Sequence, residues 1–337
     1  MKLRRAVAAL LMVVVGVAGA ASVETAVPAA PAASAASASD ADCPEQPADP
    51  TPEEAAQGRR DAADNGLLWK ATRNGRVVYL YGTIHIAQQS WTYPGPKTLA
   101  AMRASDVVAL ELDLADPAVL ARLARAIVRQ PGSPVLPPAL QARLEAQMAS
   151  SCIAPFTLAL LRPEMQAVTI EVMQGRRFGL YPAYAIDEAI TKLAGELGKP
   201  LRALETPEMQ AGLLVSDDPH ETAETVSAVL DELESGKGPQ MLQRLANDWQ
   251  RGDLADLDAY RSWCECLDTP QQRADFRKLI DERNPLMADK IVQWHAQGKS
   301  LFVAIGSLHM VGKIGLPALL KARGFRVERV TFGPAGR

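Results

Sequence analysis

The chain has only four histidines and four cysteines among its 337 residues. It contains no His-Glu-x-x-His stretch, the helical device through which many zinc proteases hold their metal. Any metal chemistry must therefore draw its ligands from separate parts of the sequence. Aromatic residues are scarce at 5%. Past the first two dozen residues, no stretch is long and apolar enough to span a bilayer. Blocks of basic residues are missing as well. The formal net charge is −3, and removing the basic start at Lys2, Arg4 and Arg5 would leave the chain more acidic still. A mildly acidic surface argues against nucleic acid as a partner.

Residues 1–20 read as a secretory signal peptide. Behind the basic start, Val7 to Val17 is apolar apart from Ala and Gly, and Ala18-Gly19-Ala20 offers the small residues of a cleavage site. The apolar run is shorter than a membrane span, so cleavage near Ala20 and a periplasmic or secreted protein, with no stable membrane insertion, are expected. Residues 21–62 are rich in Ala, Pro and Ser and poor in large apolar side chains. They cannot bury enough surface to offset their ordering entropy, and a largely disordered linker is expected. Residues 63–337 suit one large domain.

An even cysteine count in an exported chain favours disulfides. Cys152 is expected to pair with Cys264 or Cys266, while Cys43 pairs only if its segment folds back. Metal binding by Cys264-Glu265-Cys266 is the weaker reading, because no His or second Cys pair sits at a matching spacing.

Strand-like runs at 67–72 and 76–81 flank Asn74-Gly75, a pair favoured in type I′ hairpin turns. Further short apolar strands are expected at 107–112, 201–205, 301–305 and 325–332. Between them, 117–130, 138–150, 162–176 and 185–197 show helical periodicity, and 207–297 is almost all helix. The predicted class is α/β: a mixed or parallel central sheet with a large helical insertion, helix-rich.

Two distant segments echo each other. Tyr79-Leu80-Tyr81-Gly82-Thr83-Ile84-His85-Ile86 and Val303-Ala304-Ile305-Gly306-Ser307-Leu308-His309-Met310 both run as apolar strand, Gly, hydroxyl residue, apolar residue, His, apolar residue. Gly permits a tight turn and a close approach. The hydroxyl stiffens the turn. The histidine then falls just past a strand's carboxyl end, where open α/β sheets bind ligands. A single such turn would ordinarily be a loop; two that match, using half of the histidines, point to a site. His220 at a helix start and His295 in a last helical turn look ordinary. Glu111 ends a strand and is the first candidate carboxylate. Glu205 also ends a strand, although Thr206-Pro207 follows and a helix-start acceptor is its bland role. Asp187 reads either as a site residue or as a cap for the next helix. Arg283-Asn284 reads either as a solvated run or as a break before Pro285, and Arg283 is the one of the two that is also a site candidate.

With these residues in place, the chain resembles the TraB/PrgY/GumN family, which is related to the Tiki proteases. The resemblance rests on Leu80-Tyr81-Gly82-Thr83-Ile84-His85, Glu111-Leu112-Asp113 and Ala185-Ile186-Asp187-Glu188. It continues through Leu204-Glu205-Thr206, Glu282-Arg283-Asn284 and Gly306-Ser307-Leu308-His309-Met310-Val311-Gly312. It implies a fold shared with erythromycin esterase-like and ChaN-like proteins, and a metal-dependent protease or hydrolase, since the Tiki branch acts as a metalloprotease. On that reading His85, His309 and Glu111 bind one divalent metal ion and leave a position for water. Glu205 or Asp187 serves as general base or supporting partner, and Arg283 stabilises developing negative charge. The substrate is a peptide or a small molecule. Two rivals stand beside it. One is a metal-free, esterase-like hydrolase in which Glu111 orients His85 as general base and His309 binds substrate. The other is a non-catalytic protein that binds haem or a peptide. Both hydrolase readings require the two imidazoles and Glu111 to converge on one crevice.

Overall fold

A computed structural model describes residues 43–332. The expected signal peptide at 1–20, and residues 21–42 of the expected linker, lie outside the described residues. Six strands form one sheet: β1 (Leu67–Arg73), β2 (Arg76–Thr83), β3 (Val107–Leu110), β4 (Leu201–Ala203), β5 (Leu301–Gly306) and β6 (Arg326–Val330), in the order β4-β3-β5-β2-β1-β6. β2, β5, β3 and β4 run parallel, whereas β1 is antiparallel to both β2 and β6. The sheet is mixed, as expected. The β1–β2 hairpin turns at Asn74 (φ 52°) and Gly75 (φ 74°), the two positive φ values that a type I′ turn demands.

Both faces of the sheet are covered, which explains why β5 is apolar throughout. Leu301, Val303 and Ile305 share one face with Leu67, Trp69, Val78 and Leu80, against the helices Asn284–Ala296 and Leu316–Ala322. Phe302 and Ala304 face the other way with Leu68 and Tyr81, into the large helical layer that holds Met148, Met165 and Trp249. That layer is the insertion between β3 and β5, interrupted only by β4. Many of its helices start on one local device, a capping side chain followed by proline. Asp116, Thr206, Asp218 and Thr269 each accept a backbone N–H from the first turn, and Pro117, Pro207, Pro219 and Pro270 follow them. Proline lacks an N–H that would have no partner there in any case.

Two sequence expectations need correcting. Residues 43–62 are ordered into more than a linker. Pro52–Arg60 is a helix with a complete capping box between Thr51 and Glu54. The segment before it packs on the domain, where the Ala48 carbonyl accepts from Tyr184 Oη at 2.8 Å and Gln89 Nε2 at 3.3 Å. Composition misled here because the contacts are made by backbone and by a cross-link, not by large apolar side chains. That cross-link is Cys43–Cys152, and the second is Cys264–Cys266. The expected bond from Cys152 to Cys264 or Cys266 is absent, because the N-terminal segment does fold back and supplies Cys43. Cys264 and Cys266 close on each other across Glu265, whose φ of 51° bends the chain sharply enough.

The two bridges should differ in stability effect. Cys43–Cys152 spans a sequence separation of 109, Cys264–Cys266 one of 2. Chain-entropy reasoning gives up to about 5 kcal/mol for the long loop and less than half that for the short one. Urea unfolding of Cys43→Ser/Cys152→Ser should show the larger fall in midpoint, and equal falls would contradict this account.

Candidate active site

The register between β2 and β5 sets the two Gly-x-x-His turns against each other. Thr83 pairs with Gly306 and Gly82 with Ile305. A Cβ on Gly82 would lie 2.7 Å from Ser307 Oγ and 3.3 Å from its Cα, so glycine is what lets the turns stack. Ser307 Oγ donates to the Thr83 carbonyl at 2.9 Å, and Trp249 Nε1 donates to the Gly82 carbonyl at 2.7 Å. The first turn is thus held from both sides.

At Gly306 three groups meet. A Cβ there would lie 3.5 Å from Glu111 Oε1, 3.6 Å from His309 Cδ2 and 3.9 Å from His85 Nε2. Both histidines and Glu111 therefore surround one point at the carboxyl edge of the parallel strands, the place where such sheets bind ligands. The Gly306 N–H donates to Glu111 Oε1 at 3.0 Å.

Each imidazole is fixed through Nδ1. Asp187 Oδ1 lies 3.0 Å from His85 Nδ1. Asp187 sits in the first turn of Ile186–Glu196, whose N-cap is Ala185 with no side-chain cap, so Asp187 holds His85 instead of capping the helix. Asn284 Oδ1 lies 2.6 Å from His309 Nδ1, and Asn284 Nδ2 donates to the Ile314 carbonyl. An amide oxygen only accepts, so His309 carries its proton on Nδ1 and leaves the Nε2 lone pair facing Arg283 Nη1.

Arg283 is the hub beneath them. Its Nε donates to Glu205 Oε1 at 2.7 Å, and Nη2 donates to Glu205 Oε2 and, at 2.6 Å, to Glu111 Oε2. Nη1 donates to the Leu279 carbonyl at 2.7 Å and lies 3.3 Å from His309 Nε2. Gln210 Nε2 bridges Glu111 Oε2 and Glu205 Oε2 at 2.9 and 3.1 Å. Leu279 belongs to a π-helical turn, Arg277–Asp281, of the kind that recurs at functional sites. The turn delivers Arg283 and Asn284 to the cluster together.

The sequence model of the TraB/PrgY/gumN family matches residues 67–329, from the first strand to the last. The chain belongs to this family. It is also similar to a zebrafish (Danio rerio) protein described as metalloprotease TIKI1, 23% identical over 316 residues that cover 80% of this chain and 64% of the relative. The chain thus spans less than two thirds of that relative's length. No solved structure matches it.

In this TraB/PrgY/gumN protein the buried charges settle one another. Burial pushes the Glu111 carboxyl up, but Arg283, His309, His85 and the Gly306 N–H together bring it down to about 2. Burial disfavours charge on His85 too, yet the adjacent Asp187 carboxylate and its hydrogen bond prevail and raise its pKa to about 9. His309 goes the other way. Burial and the Arg283 charge lower it to about 3, so this ring is neutral.

All six residues singled out from the sequence gather in one cluster, Glu111, Glu205, Arg283 and His309 as one bonded network and His85 with Asp187 as a pair beside it. Two of their relations differ from expectation. Asp187, not Glu111, orients His85. Glu205 is 5% exposed and engaged by Arg283 and Gln210, which leaves it no room to act as a general base. Three members went unrecognised: Asn284, Gln210 and Trp249. Asn284 lay inside a quoted motif but looked like a helix break. Gln210 and Trp249 carried no signal in sequence. His220 is exposed beside Glu224, outside the cluster, and His295 is buried with its ring 4.8 Å from that of Phe325.

Among the described residues, no three His, Cys, Asp or Glu side chains are gathered closely enough to hold a metal ion as they stand. The donor set nonetheless fits one in kind. Its imidazoles are tied at Nδ1 to oxygen acceptors, the usual support for metal-binding histidines. His85 Nε2 is buried with no hydrogen-bond partner, an orphan that calls for a ligand.

Proposed function

We propose that this chain is an exported, metal-dependent hydrolase that cleaves peptide bonds, with His85, His309 and Glu111 holding one divalent metal ion. The observation that carries this reading is the unpartnered Nε2 of His85. It faces the same point as the ring of His309 and Glu111 Oε1. Two nitrogens and one carboxylate oxygen form a catalytic donor set that leaves a position open. A divalent ion bound there would supply a Lewis acid for a scissile carbonyl and lower the pKa of water.

The protein's own groups would do the rest. Asp187 and Asn284 hold a proton on each Nδ1 and fix the direction of each ring. Gly306 N–H and Gln210 orient Glu111. Arg283 neutralises Glu111 and Glu205, and its Nη1 is placed to stabilise negative charge that develops beside His309. The two disulfides support an oxidising compartment, periplasmic or secreted. Kinship with a protein named as a metalloprotease supports the metal and the peptide bond.

The metal-free alternative also has an observation behind it, the His85–Asp187 pair at 3.0 Å, which resembles a base and its orienting carboxylate. Against burial, the neighbouring Asp187 raises His85 to about 9, so at neutral pH its Nε2 holds a proton that either reading must remove, a bound metal ion by displacing it and a general base by losing it to water. A haem ligand finds little support. His309 is 1% exposed, and the adjoining cavity measures about 60 Å³.

Elemental analysis of the purified mature domain decides. The expected result is about one equivalent of a divalent transition metal, with hydrolysis of a peptide pool that stops on chelation and returns on adding metal. Hydrolysis by a preparation free of metal would overturn the reading.

A further inference from the structure

The two Gly-x-x-His turns form one wall of a cavity of about 60 Å³ whose remaining walls are apolar. Leu242, Leu245 and Trp249 on the helix Gly238–Arg251, Ile84 and Leu308 on the turns, and Ile280 of the π-helical turn all line it. The polar side chains that line it are His85, His309, Thr83 and Ser307, all on the two turns. Two of these polar atoms, His85 Nε2 and Thr83 Oγ1, are buried without a hydrogen-bond partner. Ser307 Oγ is already engaged with the Thr83 carbonyl.

On this measure one water occupies about 10–15 Å³, so the space exceeds what a single bridging water needs. Water inside it would find few partners along the leucine walls. A ligand that suits the space is apolar over most of its surface and carries a polar group at one end, the general pattern of small-molecule sites. A peptide residue with a large aliphatic side chain has that form: the side chain meets the apolar walls while its carbonyl stays beside the imidazoles.

We propose that this cavity is the subsite for a leucine-sized apolar side chain adjoining the scissile bond, so that substrates are peptides with a large apolar residue at the cleavage position. The proposal rests on the hydrolase reading for its chemistry, but its recognition element stands on the cavity itself.

The test compares kcat/KM for one peptide scaffold carrying Ala, Val, Leu, Phe or Glu at the varied position, with wild-type protein and with Leu245→Trp and Leu245→Ala. In the wild type, Leu is expected to exceed Ala by about 10–200-fold, the discrimination a hydrophobic pocket provides, and Glu to fall below Ala. Leu245→Trp fills the cavity and should reduce the Leu-to-Ala ratio at least tenfold. Leu245→Ala enlarges it and should move the preference towards Phe. Unfolding midpoints confirm that each variant is folded, and ratios within one variant are insensitive to the active fraction. Calorimetric binding of capped tetrapeptides, with Leu or Ala at the varied position, tests recognition without turnover. Selective binding of the Leu peptide, abolished by Leu245→Trp, would support the subsite even if no peptide were hydrolysed, and only the hydrolase reading would then fall. Equal rates for Ala and Leu, or equal binding of both peptides in an inactive protein, would overturn the subsite.

Discussion

Replacing Arg283 with methionine should lower stability by about 3–5 kcal/mol, the range seen when one partner of a buried ion pair is removed. One guanidinium here serves two carboxylates, Glu111 and Glu205, and is itself 4% exposed. Methionine roughly keeps the volume and deletes the charge, leaving two carboxylates that share Gln210 as their common donor. The pH response should reverse as well. In wild type with no metal bound, Arg283 and the two imidazoles hold Glu111 at about 2 against its burial, below its usual 4.5. A depressed carboxylate stabilises the fold above its unfolded pKa, and that stability is lost as the pH falls from about 4.5 towards 2. Without Arg283, burial governs and the Glu111 pKa rises. The variant is then penalised above about pH 4.5 and should gain stability on acidification from pH 7 to 5, where wild type changes little through Glu111. Adding Glu111→Gln and Glu205→Gln should restore most of the loss. A urea midpoint for Arg283→Met within about 1 kcal/mol of wild type would show that the guanidinium is not the hub described.

The partial legibility of this network has a physical reason. The Gly-x-x-His echo was readable because its features are local: an apolar strand, a glycine where a Cβ would meet Ser307, and a histidine at a fixed offset. The adjacency of β2 and β5 then converted two local patterns into one crevice. Glu111 was readable for the same reason, since it follows β3 directly. Partner choice was not. Whether Asp187 or Glu111 orients His85 depends on where the helix Ile186–Glu196 docks, and no spacing encodes that. The same holds for Cys43, whose partner depended on a segment of small residues folding back over the domain. Long-range pairing is set by packing, whereas strand-end chemistry is set by neighbours in the chain.

If the proposed metal site is right, His85→Ala and His309→Ala should each reduce hydrolysis by at least about a hundredfold and abolish retention of the metal, because each would remove one of three proposed ligands. Asp187→Ala and Asn284→Ala test a subtler claim. They leave all three ligand atoms in place and free only the ring orientation, so metal affinity should weaken by about 10–100-fold while added metal restores much of the activity. Recovery at high metal separates an orienting partner from a ligand. Sequence alone would offer His295→Ala as the harmless control, but His295 is 1% exposed and packs on Phe325, so its loss should cost stability. His220, exposed beside Glu224, is the sound control, and His220→Ala should leave both metal content and turnover unchanged. Metal retention at wild-type level in His85→Ala would remove that ring from the ligand set, and its Nε2 would then be left facing substrate alone. Equal loss in His220→Ala and His85→Ala would point to instability of the preparation and deny both histidine turns a special role.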